Sequence, residues 1–185
     1  MELSRKVTQW GRLAMWVTAV VLLALPAFAM RFFPAAGVDW SLSDFVIMGV
    51  LLALACGTVE VGLRMSRNVA YVVAVILAVG TSFVTVWANM AVGMILSERN
   101  PENLVFLGVI LIALIGSVLV NFGARGMAKV MLAAGIAQAL IAVVVAVVPL
   151  DDLYTSSLIG AFAVPWLLSA ALFRNAAIGR EFGRD

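Results

Sequence analysis

The sequence predicts an all-α integral membrane protein, a six-helix bundle with both termini inside, and three observations carry the prediction. Of its 185 residues, 64% are apolar and 12% charged, which leaves too little polar surface to solvate a compact domain in water. Six apolar runs reach the roughly 20 residues that a helix needs to cross a hydrocarbon core of about 30 Å. Between those runs the charges alternate, basic on one side and acidic on the other. The runs lack the apolar and polar alternation of a transmembrane barrel, so helices are left to satisfy the backbone in lipid.

The spans fall at residues 13–30, 44–63, 69–96, 104–122, 127–148 and 157–173. The first follows Arg5 and Lys6 and ends in Ala27-Phe28-Ala29, a pattern shared with cleavable secretory signals. Its apolar run is longer than a signal core, so it is expected to stay as a span. Residues 31–43, with Pro34, Gly37 and Trp40, form the longest connection, and residues 64–68 a turn tight enough to pair the second and third spans. Asn100-Pro101-Glu102-Asn103 reads as an N-cap, a Pro at the first helical position and an acid near the positive helix end, which starts the fourth span. Gly108, Gly116 and Ser117 in that span, Gly135 in the alanine-rich fifth, and Ala53 and Gly57 in the second supply smooth faces for close helix approach. Pro26 and Pro165 should kink the first and last spans or leave carbonyls for neighbours to satisfy. Trp10, Trp16, Trp40, Tyr71, Trp87, Tyr154 and Trp166 lie mostly toward span ends and are expected to anchor them at the interface. Short connections imply antiparallel neighbours and one transmembrane domain over residues 1–185.

Orientation follows from the cations. All but two of the twelve Lys and Arg residues fall on one side: Arg5, Lys6, Arg12, Arg64, Arg67, Arg125, Lys129, Arg174, Arg180 and Arg184. Arg31 and Arg99 fall on the other, beside Asp39, Asp44, Glu98, Glu102, Asp151 and Asp152. The positive-inside rule puts the first side, with both termini, in the cytoplasm.

Several chemistries are excluded. Histidine is absent, which removes His-ligated haem, the common zinc sites and every His-based triad. The single cysteine, Cys56, lies in an apolar stretch and has no partner for an internal disulfide. No glycine-rich phosphate loop occurs. No catalytic residue, metal or cofactor is expected, and no nucleic acid partner.

Few polar residues remain inside the spans. Glu60 is followed four residues later by Arg64 on the same helix face, and a structural ion pair is the favoured reading; a transport or proton-binding role is the alternative. Thr81, Ser82, Thr85 and Asn89 share one face of the third span, and Gln138 sits near the middle of the fifth. Interhelical hydrogen bonding explains this cluster most simply, with a small polar cavity as the sharper alternative. An inverted repeat of three spans on either side of residues 97–103 has no support: Pro26 has no counterpart in the fourth span, and the polar stripe none in the sixth.

Residues 87–95, Trp-Ala-Asn-Met-Ala-Val-Gly-Met-Ile, lead into Ser97-Glu98-Arg99-Asn100-Pro101-Glu102-Asn103-Leu104. With Val38-Asp39-Trp40, Asp44-Phe45, Glu60, Gly126-Met127-Ala128 and Ala137-Gln138-Ala139, this stretch resembles a family of small, uncharacterised multi-span proteins of the alphaproteobacterial inner membrane. The resemblance covers roughly residues 20–145 and departs from the expected pattern at Leu96 and Glu102. It implies a bacterial inner-membrane location and brings no activity, so no catalytic residue carries over. It also draws attention to Trp87, Glu98, Asn100 and Asn103 as an outer-face contact surface for a partner subunit or a lipid head group.

The expected function is that of a small inner-membrane accessory or structural protein. It would act through contacts with membrane lipid, with a partner membrane subunit or with further copies of itself. A small transporter or channel around Asn89, Gln138 and Glu60 is the alternative. A membrane-embedded lipid-modifying enzyme comes last, because the catalytic inventory is so poor.

Overall fold

Capping chemistry, apolar length and a few breaks decide where the helices of this chain begin and end. The computed structural model describes residues 2–91, 94–95, 101–147 and 153–182, without the side chains of residues 2–8, 153 and 180–182. The described residues are helical almost throughout and contain no strand. Six segments among them are long and apolar enough to cross a membrane. The chain divides into two compact units, residues 1–61 and 62–185.

The first unit holds α1 (Glu2–Phe32) and most of α2 (Leu42–Met65). Helix α1 runs without interruption through Pro26. A short 3-10 turn, Pro34–Ala36, follows it and is closed by Gly37 at φ 67°, a left-handed conformation that glycine adopts without strain. Ser41 then caps α2 reciprocally with Asp44: the Ser41 N–H donates to Asp44 Oδ2 at 2.7 Å, and the Asp44 N–H donates to Ser41 Oγ at 3.4 Å. Trp40 packs edge-on against Phe45 with ring centroids 5.3 Å apart, so a hydrophobic staple flanks the capping box. Arg12 pairs with Glu60, and Leu23 lies against Gly49. Residue numbers rise on one helix as they fall on the other, so α1 and α2 are antiparallel.

The second unit begins with the last turn of α2. Gly62 lets Val75 approach so closely that a Cβ at residue 62 would lie 2.9 Å from Val75 Cγ1. Asn68 starts α3 (Val69–Ala91) by accepting the Tyr71 N–H at 3.2 Å. The described part of α3 runs to Ala91, and beyond it Met94 and Ile95 are outside any described helix and buried in the unit. A 3-10 turn, Pro101–Leu104, precedes α4 (Val105–Leu119); Asn100, expected to cap it, lies outside the described residues. Asn121 and Phe122 make the turn to α5 (Ala124–Val147) at φ 49° and 55°.

The last span is two helices, α6 (Leu153–Ala161) and α7 (Ala163–Phe182), separated at Phe162. Pro165, three residues later, has no N–H to give to Ala161 O, which accounts for a break at this point. Helix α7 packs most extensively on α5 and α3, and α4 packs on α5. Glycines permit this closeness: a Cβ at residue 116 would lie 2.7 Å from Val130 Cγ1, and one at residue 135 would lie 2.8 Å from Leu167 Cδ2.

Candidate functional site

Glu60 takes a partner that its sequence surroundings did not name. Arg12 Nε donates to Glu60 Oε2 at 2.6 Å and its terminal nitrogen to Glu60 Oε1, a bidentate pair that joins α1 to α2 across 48 positions. The i, i+4 relation with Arg64 holds along α2, but it is Arg12 that ties two helices together. Periodicity within one helix cannot reveal such a contact.

Asn103 holds Met94 and Ile95. Its Oδ1 accepts the N–H groups of Met94 at 3.0 Å and Ile95 at 2.8 Å, and its Nδ2 donates to Ile95 O at 3.4 Å. The side chain thus stands in for a paired strand, and it is only 8% exposed. With the backbone held, Met94 and Ile95 enter an apolar cluster with Phe106, Ala142, Val145 and Ile159. Of the four residues expected at an outer contact surface, Trp87 is exposed and Asn103 is buried in this clamp. Glu98 and Asn100 lie outside the described residues.

The polar stripe of α3 is largely spent on its own backbone. Thr81 Oγ1 donates to Leu77 O at 2.7 Å, Ser82 Oγ to Ala78 O at 2.9 Å, and Asn89 Nδ2 to Thr85 O at 2.8 Å. Asn89 Nδ2 also reaches Met94 Sδ at 3.2 Å. Gln138, fully buried on α5, donates through Nε2 to Ile159 O at 3.1 Å, next to the α6–α7 break. No direct hydrogen bond joins Gln138 to the α3 residues among the described contacts, but Gln138 and Asn89 each reach a member of one apolar cluster, Ile159 and Met94.

Three contacts that the sequence reading missed hold the unit together. Ser169 Oγ on α7 donates to Ala74 O on α3 at 2.8 Å. Tyr71 OH donates to Phe122 O at 2.9 Å, and its ring meets Phe173 edge-on at 5.0 Å. Trp166 has no exposed surface. Tyr71 and Trp166 are therefore core residues where interfacial anchors were expected. A polar or aromatic residue near a span end reads as an anchor until the partner helix is known.

An apolar groove of about 400 Å³ lies on the outside of this unit, between α3 and the α6–α7 break. At one end of the unit, Tyr71, Phe122, Phe173 and the Gly179–Asn68 contact bring together the turn before α3, the turn before α5 and the end of α7. Arg64, Arg67, Arg125, Lys129 and Arg174 belong to these segments. Comparison with protein-family models, curated proteins and solved structures returns no match.

Proposed function

We propose that this protein is an accessory or structural component of a bacterial inner membrane, acting through the apolar outer faces of its helices on lipid, a partner membrane subunit or further copies of itself. The observation that carries the reading is how the polar groups of the second unit are used. Asn103, Ser169, Tyr71 and the Gln138 amide nitrogen all bind backbone atoms of other segments. Residues committed to holding helices together are unavailable for handling a solute. The resemblance to alphaproteobacterial inner-membrane proteins agrees with this placement.

Both termini are assigned to the cytoplasm. The gathering of Arg64, Arg67, Arg125, Lys129 and Arg174 toward one end of the second unit supports that orientation under the positive-inside rule. Native mass spectrometry from membranes tests the accessory role directly. A second subunit, a fixed copy number above one or a retained lipid is expected, and a bare monomer with no retained lipid would overturn it. A transport role draws on the buried polar atoms left without partners; time-resolved solute uptake that depends on Asn89 would favour it instead.

A further inference from the structure

Arg125, Lys129, Leu132 and Ile136 recur at intervals of four, three and four residues, so they share one face of α5. All four are exposed. On α7, Leu167 and Arg174 stand seven residues apart, almost two full turns, and so share a face as well. Both are exposed. Each stripe carries its cations toward one end and apolar side chains toward the other, which is the polarity of a lipid molecule.

The packing of α5 on the last span brings the two stripes together. A Cβ at residue 135 would lie 2.8 Å from Leu167 Cδ2, and one at residue 160 would lie 3.5 Å from Ala142 Cβ, two contacts that give one antiparallel register. Seven residues lead from Leu167 to Arg174 and seven from Gly135 back to Ala128, along helices that run in opposite directions. Arg174 is therefore level with Ala128, between the levels of Arg125 and Lys129. To one side of Ala128 on α5 are the buried Ala124 and Met131, and to the other the exposed Arg125 and Lys129. Ser169 and Phe173 face α3 from a different flank of α7, so Arg174 borders the α5 seam and not the α3 one.

Little negative charge is at hand to neutralise these cations. Lys129 and Arg174 make no hydrogen bond or ion pair with a described residue. Among the described side chains of the unit the only carboxylate is that of Glu102, in the turn before α4 at the opposite end. The first turn of α5 carries no acid, so its dipole adds to the positive field beside Arg125. We propose that the cationic end of the α5–α7 seam binds an anionic phospholipid, with its phosphate held by Arg125, Lys129 and Arg174. Its acyl chains lie along Leu132, Ile136 and Leu167. Guanidinium groups suit a phosphate's oxygens, whereas the ammonium of a zwitterionic head is repelled by the same cations. The inference rests on the lipid contact proposed above, and names the head group and the seam that receives it.

Lipid retention from a bilayer of known composition tests this. The full chain is reconstituted in nanodiscs of equal parts phosphatidylethanolamine and phosphatidylglycerol, and native mass spectrometry counts the lipids that stay bound. Phosphatidylglycerol should be retained severalfold above its share of the bilayer. Arg125→Gln, Lys129→Gln and Arg174→Gln combined should remove the preference, and each alone should lower it by up to about fivefold. Arg64→Gln with Arg67→Gln deletes two charges at the α2–α3 turn and should keep it. Circular dichroism reports whether the triple variant folds, and the single variants carry the test if it does not. Glycerol phosphate in excess, a head without tails, should not displace the lipid. Equal retention of the two lipids, a preference untouched by the three substitutions or lost equally in the Arg64 and Arg67 variant, or displacement by glycerol phosphate overturns the proposal. A partner subunit or a fixed copy number found without lipid preference would remove this site alone and leave the accessory role standing; a bare monomer without lipid would remove both.

Discussion

The two units are built from equally apolar helices yet hold themselves together differently. In the first, α1 leaves almost its whole length exposed: Ala19 is its only buried residue among those described, while Trp10, Val20 and Phe28 are more than half exposed. Its tie to α2 is the Arg12–Glu60 pair, with Leu23 resting on Gly49. In the second, glycines at 62, 116 and 135 bring helices into close contact, and polar side chains bind backbone atoms of neighbouring segments. Apolarity therefore takes a helix into the bilayer without deciding whether it packs. Packing comes from small residues and directed hydrogen bonds, because lipid solvates a bare apolar face as well as another helix does.

Substitutions in the two units should separate these roles, beginning with the largest effect. Trp166→Ala removes a side chain with no exposed surface and should destabilise by on the order of 3 kcal/mol, whereas Trp16→Ala, 42% exposed, should leave the thermal midpoint nearly unchanged. Lipid as reference solvent places the first value at the low end of what such deletions cost in water. Next, Gly116→Leu should cost about 1–3 kcal/mol through overpacking against Val130, while Gly57→Leu, which faces open space, should cost much less. Denaturation in mixed detergent, followed by circular dichroism, distinguishes the two pairs. Ser169→Ala should lose roughly 0.6 kcal/mol, the average for such a bond between membrane helices. A double-mutant cycle on Arg12 and Glu60 should give a coupling below about 1 kcal/mol, because the arginine side chain is 39% exposed and screened. A coupling of several kcal/mol would place the first unit on the same footing as the second.

The spans were legible in the sequence because length and apolarity are local properties. So were the tight turn at Asn68 and the trouble caused by Pro165, each a matter of one residue's chemistry. The end of α3 was not legible. The apolar run continues past Ala91, but Ile95 lies in the core with its N–H donated to Asn103. That exchange depends on a side chain eight positions away. Glu60 shows the same limit, since Arg64 is its neighbour by periodicity and Arg12 its partner by fold. Trp166 shows it again: an indole near a span end looks like an anchor until α5 presents Gly135 against it, with a Cβ there only 3.3 Å from Trp166 Cβ. Of the polar cluster, the shared face on α3 was readable from spacing, while the bond from Gln138 to Ile159 O beside the α6–α7 break depended on the fold.

Asn103 and Glu60 stand for the two ways of holding the molecule, and one comparison of their stabilities tests the account most directly. In the same lipid nanodiscs, the thermal midpoints of Asn103→Ala and Glu60→Gln are measured against the unsubstituted protein. Asn103→Ala removes the side-chain acceptor of the buried N–H groups of Met94 and Ile95, a loss of about 1–3 kcal/mol, and should give the lower midpoint. Glu60→Gln retains a hydrogen bond acceptor for the partly exposed Arg12 and should shift the midpoint less. The reverse order would contradict the division of the fold into a tightly bonded unit and a loosely tied one.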